Sequence, residues 1–219
     1  MTSPASITEL LARCQNMAGL TLVDIASRLG VALPKNLRKE KGWSGQLIEL
    51  WLGASAGSKP EQDFPQLGIE LKSLPVDREG IPLESTYVCM APLLYSQGET
   101  WQTSSVRNKL SRVLWIPILA ERTIPLEQRM VGTAILWTPS AQQEAILRQD
   151  WEELMEIIAF GQVEQVTARH GVALQLRPKA ANSRVRTKAY GKNGQLIDTL
   201  PRGFYLRREF TKQLLSYYF

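Results

Sequence analysis

Apolar and polar residues follow two different periods along this chain, and together these periods predict a mixture of helices and strands. The clearest helix is predicted over residues 141–160, where apolar side chains recur on one side and Gly161 follows. Shorter helices are predicted at 6–17, 21–29, 45–54, 103–111 and from about 209. Strands are predicted at 67–75, 85–91, 112–118, 132–138, 172–177 and 203–207, with a loop at 178–192 and a hairpin turn around Lys192-Asn193-Gly194. This order predicts an α/β fold with a mixed sheet flanked by helices.

The most informative short segment alternates apolar and charged residues between Ile69 and Lys72. Residues two apart in a strand point to the same face, so we expect Glu70 and Lys72 to project together while Ile69 and Leu71 pack on the other side. Asp63 precedes this strand across a turn and can converge on the pair. The spacing D-x6-E-x-K therefore predicts a site with two carboxylates and a lysine.

Two carboxylates and a lysine suit metal-assisted cleavage of a phosphodiester bond. Mg2+ prefers carboxylate, carbonyl, water and phosphate oxygens, and Asp63 and Glu70 supply the carboxylates; Mn2+ is expected to substitute. Lys72 can orient an attacking water or neutralise charge on the phosphate. The alternative reading is a surface strand with an ordinary Glu–Lys pair.

A further carboxylate, Glu49, lies in the helix predicted over 45–54. That helix is apolar nearly all round, which predicts that it is buried. A buried carboxylate is costly unless it is paired or bound to a metal. Glu49 is therefore a third candidate for the metal site, and the alternative is a salt bridge at the helix end.

Charge is distributed unevenly along the 219 residues, whose formal net charge is +5. Residues 161–219 contain eleven Lys or Arg residues against three Asp or Glu residues, whereas residues 1–160 carry a small acidic excess. A basic C-terminal quarter favours contact with phosphates and salt-sensitive binding to nucleic acid. The alternative is a solvated basic face.

Composition excludes several classes of protein. No run approaches 18 apolar residues and the N-terminus lacks a secretory pattern, so we expect neither a membrane span nor a signal peptide. Cys14 and Cys89 are expected to be buried free thiols, which fits the cytoplasm. His170 is the only histidine, which argues against Ser-His-Asp and His-rich zinc catalysis and favours a surface loop histidine.

Several long blocks of the sequence closely resemble the MutH family of bacterial mismatch-repair endonucleases. These blocks are KGWSGQLIELWLGASAGSKPEQDFPQLGIELKSLPVD (41–77), TSSVRNKLSRVLWIP (103–117), QDWEELMEIIAFGQVEQVTARHG (149–171), LQLRPKAAN (174–182) and LPRGFYLRREF (200–210). The resemblance implies a restriction-endonuclease-like fold whose two lobes form a DNA cleft. We expect lobes of about 1–115, mainly catalytic, and 116–219, mainly DNA-reading, with a chain that can cross between them.

The same resemblance implies an activity and partners. Members of the family nick the unmethylated strand of hemimethylated GATC sites in double-stranded DNA, use Mg2+, and are stimulated by MutL, with MutS acting indirectly. They act as monomers, which suits cutting one strand, since a symmetric dimer would cut both.

Residue roles implied by the resemblance extend the candidate site. Lys109 joins the active site, and the loop Arg177-Pro178-Lys179 reads the GATC bases, which suits the match of arginine to guanine O6 and N7. Tyr205, in a segment with Arg202 and Arg207, is tied to sensing adenine methylation. Tyr87 is expected to contact DNA, although a well-known family member has phenylalanine there.

Two alternative functions remain open from the sequence. A restriction enzyme of the same fold would cut both strands at GATC. A non-catalytic DNA-binding regulator would use residues 21–42 as a helix-turn-helix and would not need the D-x6-E-x-K cluster.

Overall fold

The structure, a computed structural model, describes residues 2–34, 42–57, 61–94, 98–167 and 169–218. The chain forms two compact units. Unit 1 comprises Met1–Glu84, Ser111–Thr138 and Leu215–Phe219, and unit 2 comprises Ser85–Leu110 and Pro139–Leu214. The two units interleave in sequence, since Ser85–Leu110 belongs to unit 2 and Ser111–Thr138 returns to unit 1. The division into lobes of about 1–115 and 116–219 stays a prediction. No helix in the described ranges is long and apolar enough to cross a membrane.

Helices and strands alternate along the chain, so the predicted α/β class is confirmed. The helices are α1 Ile7–Met17, α2 Leu22–Leu29, α3 Trp43–Leu52, α4 Ser105–Leu110, α5 Ala141–Ala159 and α6 Arg208–Leu215. The strands are β1 Glu70–Val76, β2 Thr86–Met90, β3 Val113–Leu119, β4 Ile135–Trp137, β5 Leu174–Pro178, β6 Thr187–Tyr190, β7 Leu196–Thr199 and β8 Arg202–Leu206.

Unit 1 is built on a mixed sheet of order β1-β3-β4. β1 and β3 are parallel, from Glu70 opposite Val113 to Val76 opposite Leu119, and β4 runs antiparallel to β3. Helices α1, α2 and α3 share one core cluster with Leu71 of β1 and with apolar residues of β3. Unlike the alternation expected from the sequence, both faces of β1 are buried at its start, because Glu70 is as inaccessible as Leu71.

Helices α1 and α2 of unit 1 begin at side-chain caps, Ser6 and Thr21. The Thr21 side chain accepts a hydrogen bond from the Asp24 N–H, and the Asp24 carboxylate accepts one from the Thr21 N–H, so the two residues form a capping box at the start of α2. Helix α3 is not buried all round as predicted, since Leu50 is exposed and Glu49 is only partly covered. The helix-turn-helix reading of 21–42 falls partly on residues 35–41, which lie outside the described ranges.

Unit 2 contains an antiparallel sheet of order β2-β8-β5 and a separate hairpin of β6 and β7. β8 is central and pairs with β2 on one side and with β5 on the other. The hairpin turn at Lys192-Asn193-Gly194 was expected. The prediction of a loop over 178–192 is wrong at Thr187–Tyr190, which form the strand β6. Its residues pair with β7 from Thr187 opposite Thr199 to Tyr190 opposite Leu196.

Candidate active site and DNA-reading cluster

A tight turn places Asp63 beside the first residues of β1. The backbone groups of Phe64 and Ile69 exchange two hydrogen bonds, and Gly68 closes the turn between them with φ +64°. Asp63 Oδ2 accepts a hydrogen bond of 2.8 Å from the Leu71 N–H. The Asp63 carboxylate is therefore fixed next to the Glu70–Leu71 peptide, although six residues separate Asp63 from Glu70 in sequence.

Glu70 and Lys72 form an ion pair on one face of β1. Lys72 Nζ donates to Glu70 Oε1 at 2.6 Å, and the two side chains are 13% and 3% exposed. They share a face, as the i and i+2 spacing predicts, but they are buried and do not form a surface pair. A buried ion pair is weak support for stability, because burial costs both charges their hydration. Its presence here favours a functional reason for the pair.

The C-terminal end of α3 connects Glu49 to the turn that carries Asp63. The N–H groups of Gly53 and Ala54 both donate to the Glu49 carbonyl at 2.9 Å, and the next residue, Ser55, donates its N–H to the Asp63 carbonyl at 3.0 Å. A methyl group on Gly53, whose φ is +79°, would lie 2.3 Å from the Thr2 carbonyl oxygen, so glycine is required there.

The donor chemistry of this region fits a hard divalent cation. Mg2+ is commonly bound through one or two carboxylates, with water and substrate phosphates completing its shell. Asp63 and Glu70 offer two carboxylates, and their strand offers backbone carbonyls. Among the described residues, no group of three or more His, Cys, Asp or Glu side chains is arranged to hold a metal. Glu49 therefore does not complete a three-carboxylate cluster in this structure, and its metal role stays a prediction.

Lys109 lies on α4 in unit 2, where its side chain is half-buried. The neighbouring Arg107 pairs with Glu144 of α5 at 2.9 Å. This hydrogen bond is the main reason that the pKa of Glu144 is lowered from its ordinary value. The structure therefore gives α4 an anchor on α5, while the active-site role of Lys109 stays a prediction.

Four side chains of unit 2, which we call the reading cluster, stack across its three-stranded sheet: Tyr87, Tyr205, Arg177 and Lys179. The rings of Tyr87 and Tyr205 meet edge to face with centroids 5.3 Å apart. Lys179 Nζ lies 4.4 Å from the Tyr87 centroid, and Arg177 Cζ lies 5.5 Å from the Tyr205 centroid. Such cation–π contacts hold two exposed cations in a defined arrangement on aromatic rings.

The ends of β5 and β8 orient the reading cluster. Arg177, Pro178 and Lys179 are all exposed, and Arg177 Nη1 also donates to Ser85 Oγ. A side chain on Gly203 would start 2.8 Å from the Tyr87 ring, so glycine at this point of β8 lets the ring lie against the strand. Sequence reasoning missed Gly203, although a glycine inside a strand is a signal of close approach.

Two arginines predicted to contact DNA are turned inward. The Arg202 side chain is 10% exposed, and its Nη2 lies 3.8 Å from Glu164 Oε2. Arg207 Nη2 donates to the His170 carbonyl at 2.7 Å. Arg202 is therefore largely covered, and Arg207 is tied to the segment before β5, while contact of either side chain with DNA stays a prediction. Both side chains support β8.

Two buried polar side chains near these sites were not found from the sequence. Asp150 of α5 is 3% exposed and accepts hydrogen bonds from the N–H groups of Val172, Ala173 and Leu174 at 2.9, 2.6 and 2.7 Å. Gln62 is also buried, and its Nε2 donates to Ser111 Oγ at 3.1 Å. The only sequence signal for Asp150 is a charged residue directly before Trp151 on the apolar side of a helix.

Two kinds of comparison relate the chain to known proteins. The family model described as "MutH: DNA mismatch repair enzyme MutH" matches residues 52–150. The chain is 57% identical over 219 residues, 100% of its length and 95% of the relative, to the DNA mismatch repair protein MutH of Salmonella paratyphi C. It is 58% identical over 212 residues, 97% of its length and 94% of the relative, to the protein of that name from Vibrio parahaemolyticus.

Proposed function

Because this chain belongs to the MutH family of DNA mismatch repair enzymes, we propose that it nicks the unmethylated strand of hemimethylated GATC sites in double-stranded DNA. The observation that carries this proposal is that the Asp63 carboxylate is held on the Leu71 N–H, between Glu70 and Lys72 in sequence, whose side chains form an ion pair. A protein that only binds DNA has no need for two carboxylates and a lysine held at the start of one strand, one of them buried.

Asp63 and Glu70 would hold Mg2+, or Mn2+ in its place, with Glu49 contributing through ion-bound water. When bound, the ion supplies Lewis-acid polarisation of the scissile phosphate and lowers the pKa of a bound water. Lys72 Nζ, held by Glu70 Oε1 at 2.6 Å, orients the attacking water and places positive charge where negative charge develops on the phosphate. Lys109 is proposed as a further cation of this active site.

The reading cluster is proposed to recognise the GATC bases. Arg177 presents a planar fork that matches guanine O6 and N7, and Lys179 contacts a base or a phosphate beside Pro178. Tyr205 senses the methylation state of adenine, since an N6-methyl group adds apolar bulk and removes one donor hydrogen. Tyr87 supports Tyr205 edge to face and contacts the DNA. Arg202 and Arg207 support the reading cluster by holding β8 in place through Glu164 and the His170 carbonyl.

The proposed regulation follows the family. MutL activates nicking, MutS acts indirectly through MutL, and the enzyme works as a monomer in the cytoplasm. A restriction enzyme that cuts both strands is the competing catalytic reading, and a non-catalytic regulator is the competing binding reading.

A nicking assay on supercoiled plasmid with one hemimethylated GATC site tests these readings, with Mg2+ and with or without MutL. Glu70→Gln should reduce the nicking rate by about 100-fold or more, because the lysine and the ion both lose a carboxylate partner. Glu79→Gln, at an exposed turn of the same unit, is the matched control and should nick at the wild-type rate.

The form of the product separates the three readings. Nicked circles that require MutL and metal, and that are absent with fully methylated DNA, support the proposal. Linear plasmid would support the restriction enzyme. DNA binding by the wild-type chain without cleavage would support the regulator and overturn the proposed nuclease.

A further inference from the structure

The residue before Asp63 has a buried carboxamide with a partner far away in sequence. Gln62 is 8% exposed, and its Nε2 donates to Ser111 Oγ at 3.1 Å. A buried amide must be hydrogen-bonded to offset its lost hydration, so this contact constrains where the Gln62 side chain can lie. The adjacent backbone of Asp63 is constrained with it.

Ser111 belongs to the part of unit 1 that is paired with Glu70. The next residue, Arg112, accepts the Glu70 N–H through its carbonyl at 3.0 Å. The residue after that, Val113, is the register partner of Glu70 in the parallel pair of β1 and β3. The Gln62–Ser111 hydrogen bond therefore links the residue before one proposed metal ligand to the segment that leads into β3, the strand that pairs with the other.

The Gln62 amide also lies against the turn between Asp63 and Glu70. A methyl group on Gly68 would be 3.8 Å from Gln62 Oε1, which is ordinary van der Waals contact. The Gln62 side chain therefore contacts Ser111 through its nitrogen, and its oxygen lies near the closing glycine of the turn. Both segments help to determine how far Asp63 lies from Glu70.

We propose that Gln62 is a positioning residue that sets the separation of the Asp63 and Glu70 carboxylates and thereby the affinity of the site for a divalent cation. This inference rests on the proposed function, since it assumes that these two carboxylates hold the ion. Gln62 itself acts through Asp63 and is not required to touch the ion or the DNA.

The test is a double-mutant cycle on the full chain with Gln62→Leu, Ser111→Ala and the double variant. Gln66→Leu, the same substitution at an exposed position of the turn, is the matched control. Binding of Mn2+ is followed by electron paramagnetic resonance without DNA. The magnesium dependence of nicking, DNA affinity without metal and thermal unfolding are measured on the same samples.

We expect each single variant to bind Mn2+ about 3- to 10-fold more weakly, the range that one hydrogen bond supports, and the double variant to lose no more than either single. The Mg2+ concentration for half-maximal nicking should rise by a similar factor. DNA affinity without metal should stay at the wild-type value, and Gln66→Leu should match wild type throughout.

Wild-type Mn2+ affinity in Gln62→Leu, or independent losses that multiply in the double variant, would overturn the positioning role. A loss of thermal stability with unchanged Mn2+ affinity would show a merely structural contact and would overturn it too. These outcomes leave the nuclease intact. Failure of the wild-type chain to bind Mn2+ and nick would instead overturn the proposed function, and the inference with it.

Discussion

Replacing Asp150 by asparagine removes the charge from the anchor between α5 and β5. Oδ1 accepts one N–H, from Val172, and Oδ2 accepts two, from Ala173 and Leu174. Asparagine has only one acceptor oxygen. If that oxygen accepts the Ala173 and Leu174 N–H groups, the NH2 group of the asparagine faces the Val172 N–H, and two donors then point at each other. An unpaired buried donor costs about 1–3 kcal/mol, and the remaining bonds weaken because their acceptor is no longer charged.

The expected loss for Asp150→Asn is about 2–5 kcal/mol of unfolding free energy, a large share of the total of about 5–15 kcal/mol typical of folded proteins. For a chain of this length each kcal/mol corresponds to about 2–4 °C in Tm. Urea denaturation followed by circular dichroism measures the free energy directly. Because β5 ends in Arg177 and Pro178, the proposed binding to GATC sites should weaken in the same variant.

Asp198→Asn is the matched control. Asp198 pairs with Lys188 at 2.9 Å on the exposed β6–β7 hairpin, so its loss should cost under about 1 kcal/mol. If Asp150→Asn unfolds within about 0.5 kcal/mol of this control, a typical surface effect, the three buried hydrogen bonds do not stabilise the junction and the reasoning is refuted.

Three further predictions concern other parts of the molecule. Gly203→Ala should lower the unfolding free energy by about 1–3 kcal/mol, because its methyl group would overlap the Tyr87 ring; urea denaturation showing no loss would contradict the close approach. Glu144 has a pKa below its ordinary value of 4.5, so its ion pair stabilises the fold above that value and the benefit is lost as pH falls through the lower pKa of the folded state. Glu144→Gln should therefore be less stable at neutral pH by under about 1 kcal/mol, with the difference disappearing in acid, as pH-dependent urea denaturation would measure. Burial raises the pKa of the Cys14 thiol to about 12, so a thiol reagent at about pH 8 should modify the half-buried Cys89 first, and peptide mapping that finds Cys14 labelled first would contradict this order.

Elements with strong local patterns could be predicted from the sequence. The apolar stripe after Ser140 predicted α5 over 141–160, and the helix spans Ala141–Ala159. The strand β6 could not be predicted in the same way, because Thr187–Tyr190 becomes a strand only by pairing with β7. Hairpin strands of this length draw their stability from the partner strand, and local propensity gives little signal of it.

In the candidate active site, too, local sequence pattern predicts some features, and others depend on residues far away in sequence. The i and i+2 spacing predicted that Glu70 and Lys72 share a face, which follows from strand geometry alone. Their burial depends on β3 and on the helices that cover the sheet, and these lie elsewhere in the sequence. Gln62 was missed for the same reason, since its role is visible only through its contact with Ser111. The shared face of Glu70 and Lys72 was therefore predictable, whereas the contacts that support them were not.

The interleaving of the two units affects how the protein can be assembled and dissected. β1 and β3 are adjacent in the sheet of unit 1, yet Ser85–Leu110 lies between them in sequence and belongs to unit 2. During synthesis on the ribosome, β1 therefore cannot pair with β3 until all of Ser85–Leu110 has been made. Such non-local parallel pairing is intrinsically slow. No continuous fragment consists of one unit alone, so a cut between β1 and β3 for separate expression would interrupt the sheet of unit 1 before it could form.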